Sequence, residues 1–386
     1  MMSVIFWFLL VLIAWSLFGY GLVWTLLARI WPERRRQREE VGVSATMLIA
    51  ARNEEHVIEA KIRSVLAQDV GPNDLSILVV SDGSEDATLA RAMATGDPRV
   101  SAFQTEMHGG KAMALNAGLA RIDRDVVIFS DANSILEPGA VRSLLSHFSD
   151  RAVGGVCGRP RPERHRTGWH GKMEATFWQY DSMLKSAESR IGGAVSAQGT
   201  LYAIRRALVP AKVPEAMADD FYISTQVPAA GYRLVFDPRA IAIEDVTERT
   251  GDEIMRRVRS TERGWRGLMT MRRLLNPLRH GLYAIQLISH KLLRRVVAFF
   301  LPALFLANLA LLEDAWFYWI FFLVQAVTYG VALAALLYPN LRRLPGVGVA
   351  AFFVMGHAAM AYGILRAATG VRSTRWSPVR SGGDPL

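Results

Sequence analysis

An α/β domain set between membrane helices is the fold class the sequence predicts, on three observations. Apolar blocks stand at both ends of the chain, a stretch of mixed polarity separates them, and inside it short apolar runs alternate with segments of helical periodicity. Composition agrees: 386 residues, 51% hydrophobic and 21% charged, with a mean hydropathy of +0.18. That is too apolar for an ordinary soluble protein and too charged for one built only of membrane helices.

The first block, Ser3 to Ala28, carries no charge. As a helix it reaches about 39 Å, enough to cross a hydrocarbon core of roughly 30 Å. A cleaved signal peptide is the alternative, but the apolar part is too long and neither a basic n-region nor a small-x-small site flanks it. The second block comprises Val296–Leu312, Ala315–Leu337 and Val347–Leu365. The expected organisation is a membrane helix over 1–30, a domain over 31–278, an amphipathic interfacial helix over 279–295, about three spans over 296–366, and a polar tail over 367–386. The interfacial helix is "RHGLYAIQLISHKLLRR", whose apolar spacing is broken by His290, Lys291, Arg294 and Arg295.

Arginine placement sets the expected orientation. "ERRRQREE" follows the first span, whereas Glu313-Asp314 between later spans has no basic neighbour, so the domain is expected in the cytoplasm at the inner membrane and Met1 outside. Three further crossings would leave the tail outside, yet "LRAATGVRSTRWSPVR" holds four arginines, which favour the inside. The lone Cys157 cannot form an internal disulfide, as expected of a cytoplasmic domain. Much of the net charge of +10 lies beside membrane segments, where anionic lipid attracts it. Membrane lipids are thus expected partners. No basic helix with interleaved aromatics points to nucleic acid.

Within the domain, "ATMLIAA", "LSILVVS" and "DVVIFSD" read as buried strands. "EEHVIEAKIRSVLAQ", "SEDATLARAMA" and "KAMALNAGLARI" read as helices between them. This is βαβαβ order on a mainly parallel sheet, in which ligands bind beyond the carboxyl ends of the strands. Three runs end there in polar clusters: Arg52-Asn53-Glu54, Ser81-Asp82-Gly83-Ser84 and Ser130-Asp131-Ala132-Asn133. One such cluster is usually a helix cap, but three at one edge point to a polar ligand. Asp131 and Asn133 offer oxygens to a hard divalent cation.

The ordered set "IAARNEE", "VVSDGSEDAT", "HGGKAMALNAGL", "VVIFSDANS", "SAQGTLYAIRR" and "MADDFYISTQVPAAGYRLVFDP" resembles family 2 glycosyltransferases. These are inverting enzymes that include cellulose, hyaluronan and poly-N-acetylglucosamine synthases, and the match runs from about Thr46 to Arg266. The resemblance implies the GT-A fold, a Rossmann-like nucleotide-diphospho-sugar transferase domain, here inserted between transmembrane helices. It implies that Asn53, Glu54 and Asp82 hold the donor nucleoside with Lys111 beside it, and that Asp131 is the first aspartate of the metal-binding "DxD" element for Mg2+ or Mn2+. Asn133 departs from that element and removes one ligand charge. Asp219 and Asp220 match the acidic pair, whose second member is the general base; an aspartate of ordinary pKa, about 3.9, is ionised at neutral pH and can take the acceptor proton. Taken alone, an Asp-Asp pair is usually a helix start satisfying the dipole.

The next element departs furthest. The polysaccharide synthases carry "QxxRW", and this chain reads "RSTERGWRG", with Ser260, Arg263 and Gly264 at those positions and Trp265 one residue late. Arg263 is still expected to clamp a diphosphate oxygen. Acceptor contacts are expected from Gln198, Gly199 and Trp265, and the missing tryptophan implies transfer of one or a few sugars. His165 and His170 have no companions at a zinc spacing, and Trp169, Phe177, Trp178 and Tyr180 are expected to pack a long helix.

The function expected is therefore transfer from a UDP-sugar to a polysaccharide or lipid-linked acceptor in exopolysaccharide or envelope glycan synthesis, with a homo-oligomer or synthase complex left open. The alternatives are a single-transfer glycolipid enzyme and a non-catalytic synthase subunit. Asn133 and Gly264 fit the subunit; the intact Asp82, Asp131, Asp219 and Asp220 favour the enzyme.

Overall fold

The computed structural model describes residues 1–32, 42–162, 169–244, 250–344 and 346–370, without the side chains of 169–177, 250–253, 339 and 343. The basic run at 33–40, His165, the tail arginines beyond 370, and the side chains of Trp169, His170 and Phe177 lie outside the described residues.

The chain opens with an apolar helix, Met2–Ile30, made of α1 (Met2–Ala14), a π-helical turn (Trp15–Gly19) and α2 (Tyr20–Ile30). There follow β1 (Ser44–Ala51), α3 (Ile58–Leu66), β2 (Asp74–Ser81), α4 (Thr88–Met93), β3 (Val100–Gln104), α5 (Lys111–Leu119) and β4 (Val126–Ser130), the alternation that periodicity predicts. The second half brings β5 (Ser134–Leu136), α6 (Ala140–Leu145), β6 (Val153–Pro162), α7 (Trp169–Ile191), β7 (Leu201–Arg205), α8 (Asp219–Ala229), β8 (Arg233–Glu244) and α9 (Thr250–Thr270). Then comes Pro277–Leu309, in which α10 (Pro277–Leu287) and α11 (Arg294–Leu309) are joined by a π-helical turn, followed by α12 (Trp316–Leu337) and α13 (Val347–Ala368). Met2–Ile30, Pro277–Leu309, α12 and α13 are long and apolar enough to cross a membrane.

The sheet has eight strands in the order β3-β2-β1-β4-β7-β6-β8-β5. Pairing is parallel through β3, β2, β1 and β4, as expected. The other half differs from a parallel sheet: β7 runs antiparallel to both β4 and β6, and β5 antiparallel to β8. Reversal of β7 has a geometric result. Its first residue, Leu201, pairs with Ser130 at the end of β4, so the loop "SAQGT" enters at the edge where β1, β2 and β4 leave.

Both faces of the sheet are covered, which is why β1 is apolar from Met47 to Ala51. Ala45, Met47 and Ile49 pack with Ile58, Ile62 and Val65 of α3, while Leu48 and Ala50 pack with Leu115 and Leu119 of α5. Lys61 shares the buried face of α3 and is fully buried. Its Nζ donates to Ser130 Oγ (2.6 Å) and Ser134 Oγ (3.0 Å), tying α3 to both ends of the loop that carries Asp131.

The first helix packs on two partners. Phe6, Leu9 and Ile13 meet Val297, Leu304 and Ala307 of α11 and Tyr318 of α12, whereas Tyr20, Trp24 and Ala28 meet Leu184, Ala187 and Ile191 of α7. The segment 279–295 runs on into the apolar helix that follows it, and Ala284, Leu287, Ser289 and His290 are buried against protein. Buried carboxylates on α7 are the cause: His290 Nδ1 lies 2.8 Å from Glu188 Oε1, which also accepts from Tyr20 Oη at 2.6 Å, and His290 Nε2 is 3.6 Å from Asp181. At the far end of the chain, α13 lies along α9. Arg257 covers the Phe352 ring at 4.2 Å and reaches Gly356, Gly363 meets Val258 and Thr261, and Arg366 pairs with the buried Glu262 at 3.1 Å.

Burial pulls the Lys61 amine down to about 7, against the opposing charge of Asp131. Between that value and the ordinary 10.5 the unfolded chain binds the proton that the folded chain has lost, so this group makes stability rise with pH over that window. Thermal unfolding of the detergent-solubilised protein from pH 7 to 10 should show this rise, and Lys61→Met should flatten it; an unchanged slope in the variant would refute the assignment.

Candidate active site

Lys111 is the first residue of α5, directly after the loop His108-Gly109-Gly110. Asp82, fully buried at the end of β2, fixes that loop. It accepts the N–H of Gly109 (2.9 Å) and of Gly110 (2.8 Å) and lies 2.8 Å from His108 Nδ1. Gly83 makes the approach feasible: its φ is +57°, and a Cβ there would stand 2.7 Å from the His108 nitrogen. Asp82, expected at the nucleoside, thus spends both oxygens on the loop that aims Lys111. Asn53 and Glu54 form the adjoining wall. Asn53, at φ 51°, receives the N–H of Glu85 on its Oδ1 (2.9 Å) and donates its own N–H to Ser84 Oγ (3.1 Å). Glu54 donates its N–H to Thr88 Oγ1 at 2.7 Å.

The centre of the site is the Lys111 ammonium. Its Nζ is 2.6 Å from Asp131 Oδ1 and 3.1 Å from Asp219 Oδ2. Burial works against its charge, but Asp131, Asp219 and Asp220 outweigh burial and raise its pKa. Asp219 and Asp220 begin α8, where the helix dipole favours negative charge. Burial pushes both carboxyls up, and the pair splits. Lys111 and Arg263 hold Asp219 below the ordinary range, whereas Asp220, next to the ionised Asp219, is raised.

Gly199 closes the group. Its N–H donates to Asp220 Oδ2 at 3.1 Å, and a Cβ on it would lie 3.1 Å from Asp131 Oδ2 and 3.4 Å from Lys111 Nζ. The preceding Gln198 reaches towards Asp181 at 3.5 Å, and its Oε1 is buried without a hydrogen-bond partner. Arg263, expected on a diphosphate, donates through Nε and Nη2 to the Met217 carbonyl (3.0 and 2.8 Å) and lies 3.7 Å from Asp219 Oδ1. It braces the entry to α8. Trp265 packs half-buried with Phe221, Leu268 and Val195. Asn133 is exposed two residues after Asp131.

Among the described residues no three His, Cys, Asp or Glu side chains are grouped to cage a metal ion. The donor set still fits a hard cation: one carboxylate and one amide oxygen, the remaining positions left to diphosphate and water oxygens, which is how Mg2+ is usually held.

The structure therefore gathers Lys111, Asp131, Gly199, Asp219 and Asp220 within contact distance and sets Asp82 and Arg263 one layer behind them. Two groups escaped the sequence reading. Lys61 carried a signal, since it falls on the same helical face as Ile58, Ile62 and Val65. The second group is Lys185 and Glu188 on α7, which join Asp181, the sequence's fallback candidate for the base alongside Glu215, at spacings of four and three on one face; Lys185 pairs with Asp181 at 3.0 Å.

The sequence model of Glycosyl transferase family 2 matches residues 46–209. A poly-beta-1,6-N-acetyl-D-glucosamine synthase of Staphylococcus aureus is 26% identical over 227 residues, 57% of this chain and 54% of that protein. An N-acetylglucosaminyltransferase of Azorhizobium caulinodans is 24% identical over 197 residues, covering 47% and 49%. The chain thus spans about half the length of these relatives. Among solved structures, the mannosyltransferase PcManGT from Pyrobaculum calidifontis, in complex with GDP-Man and Mn2+, superposes with a TM-score of 0.69 at 20% identity, over 95% of this chain and 99% of that one. At that identity the likeness speaks for the fold, which extends to the apolar helices. Residues 46–209 are accordingly a glycosyl transferase family 2 domain on a GT-A fold, carried between membrane-length helices.

Proposed function

We propose that the protein is a membrane-bound, inverting glycosyltransferase that moves a sugar from a UDP-sugar to a glycan or lipid-linked acceptor in exopolysaccharide or cell-envelope synthesis. The observation that carries this is Lys111 bridging Asp131 and Asp219, with Asp220 turned onto the Gly199 N–H beside them. A lysine clamped by two carboxylates at the carboxyl edge of a nucleotide-type sheet is a charge relay awaiting a diphosphate. Asp131 and Asn133 would hold the Mg2+ or Mn2+, which when bound supplies positive charge against the diphosphate. The mannosyltransferase of the same fold was solved in complex with GDP-Man and Mn2+.

The protein's own groups divide the work as follows. Lys111, freed from Asp131 as diphosphate oxygens arrive, keeps its charge throughout because its pKa is raised. Asp219 stays ionised and, with Arg263, fixes the start of α8. Asp220 takes the proton from the acceptor hydroxyl as that oxygen bonds to the anomeric carbon and UDP leaves on the opposite face. Burial and the neighbouring Asp219 raise its pKa, which increases its affinity for the acceptor proton.

Contacts of α13 support a topology in which the domain and the C-terminal end share one side of the membrane. Phe352 and Arg366, fourteen residues and about 21 Å apart, both touch α9, the helix that carries Arg263. If α13 crossed the bilayer, Arg366 would be carried away from Glu262, and Arg257, at the middle of α13, would lie in hydrocarbon. A helix lying along the domain keeps the tail arginines inside.

Purified protein given UDP-sugars and Mn2+ should release UDP, and chelator should stop it. Asp220→Asn should lower release by the roughly 10²- to 10⁴-fold typical of losing a general base while UDP binding by calorimetry persists, and wild-type turnover should fall as pH drops through the raised Asp220 pKa. Near-wild-type transfer by Asp220→Asn would overturn its role. For topology, the buried Cys157 gives a silent background. In sealed vesicles, an impermeant maleimide should label Ser377→Cys from the same side as Glu106→Cys and Asp314→Cys from the other; Ser377→Cys labelling with Asp314→Cys would refute the arrangement.

A further inference from the structure

Two cations stand at the junction of the domain and the membrane helices with no carboxylate in direct contact, the charges of Asp181, Glu188 and Asp220 reaching them only at longer range. Lys291 and Arg295 are one turn apart on Pro277–Leu309, half-buried, and among the described residues neither makes an ion pair. Among the described residues their side chains make one hydrogen bond, from Arg295 Nη1 to the Lys291 carbonyl at 2.9 Å. The neighbouring carboxylates make their direct contacts elsewhere: Asp181 with Lys185 (3.0 Å), Glu188 with His290 (2.8 Å) and Tyr20 (2.6 Å), and Asp220 with the N–H groups of Gly199 (3.1 Å) and Phe221 (2.7 Å). Shielding two like charges from water with no partner is unfavourable unless an anion joins them.

Position says which side the anion comes from. Beyond the kink at Gly281 the helix runs from Leu282 to Leu309, about 42 Å, against a hydrocarbon core of roughly 30 Å, so the surplus lies at the domain. Counting some twenty residues back from Leu309 brings the water-facing boundary to the region of Lys291. Both cations therefore sit at headgroup depth. The Arg295 guanidinium also points at the site. A Cβ on Gly264 would lie 2.6 Å from its Nη2, and its charge interacts with that of Asp220. Arg295 thus fills the space beside Gly264, the position at which the synthase-like pattern has tryptophan.

We propose that Lys291 and Arg295 form a binding site for the phosphate of a lipid, through which a lipid-phosphate acceptor is held with its attacking hydroxyl at Asp220. The assignment of an acceptor rests on the transferase function proposed above; the site itself does not. A guanidinium in place of an aromatic ring replaces sugar stacking with charge-assisted hydrogen bonds to phosphate oxygens. It also fits a short product, since the growing end stays tied to a lipid headgroup.

The test uses the full chain, delipidated in detergent, and native mass spectrometry with dioleoyl phosphatidic acid and dioleoyl phosphatidylcholine as probes. Wild type should prefer the phosphatidic acid by about tenfold or more, the worth of a charge-assisted hydrogen bond. Inorganic phosphate at equal concentration should not displace it. Lys291→Gln/Arg295→Gln should abolish the preference while leaving UDP–Mn2+ affinity by calorimetry within about twofold, a change well below one such bond. Gly264→Leu, which keeps both charges but displaces the guanidinium, should weaken the preference as well and serves if the double variant does not fold. A wild type without preference, or a double variant that keeps it, overturns the site. Loss of UDP affinity with the lipid preference intact would assign the cations to the donor diphosphate instead. UDP release by the wild type is read separately, so failure of the transferase function and failure of the lipid site give different results.

Discussion

The arrangement depends on one ammonium held among carboxylates. Lys111 begins a helix, where the macrodipole disfavours a cation, and it is shielded from water, which disfavours any charge. Asp131 and Asp219 reverse both penalties, and each in turn relies on the lysine, since three acidic groups brought together without it would repel. Elements distant in sequence, β4, α5 and α8, are thereby fastened at a single point. The surrounding parts can be understood as whatever keeps that point in place.

Those parts act from three directions. Asp82 and Gly83 set the loop from which Lys111 emerges, Lys61 ties α3 to Ser130 and Ser134 around Asp131, and Arg263 grips the Met217 carbonyl just ahead of Asp219. Asp82, Lys61 and Arg263 are buried or half-buried polar groups whose hydrogen bonds run to backbone atoms, to hydroxyls and, for Asp82, to the His108 ring, and none of those bonds is made to Asp220. The centre is therefore rigid without using up the capacity of Asp220. Its two carboxylates differ although they are adjacent, because one faces two cations and the other faces its ionised neighbour.

Much of this was legible in the residues, for identifiable reasons. The strands β1, β2 and β4 announce themselves as apolar runs with polar ends because a parallel sheet is covered on both faces and binds at one edge. The direction of β7 was not legible: "TLYAIRR" has the same pattern whichever way it runs, and only pairing with Ser130 and Cys157 decides it. Asp82 and Arg263 were legible as polar residues at the right place but not in their contacts, since a carboxylate that holds a loop and one that holds a ligand look alike in sequence. His290, expected at a lipid interface from its basic neighbours, is buried because Asp181 and Glu188, a hundred residues away, supply its partners.

The docking of α13 on α9 gives the site a mechanical handle. Glu262 and Arg263 are successive residues on α9, one bound to Arg366 of α13 and the other to the Met217 carbonyl ahead of the acidic pair. Two links thus separate an apolar helix from the carboxylates. A displacement of α13 along the domain would turn α9 with it and shift the Met217 carbonyl from which Asp219 and Asp220 follow. Whatever holds α13 in place therefore also holds the start of α8.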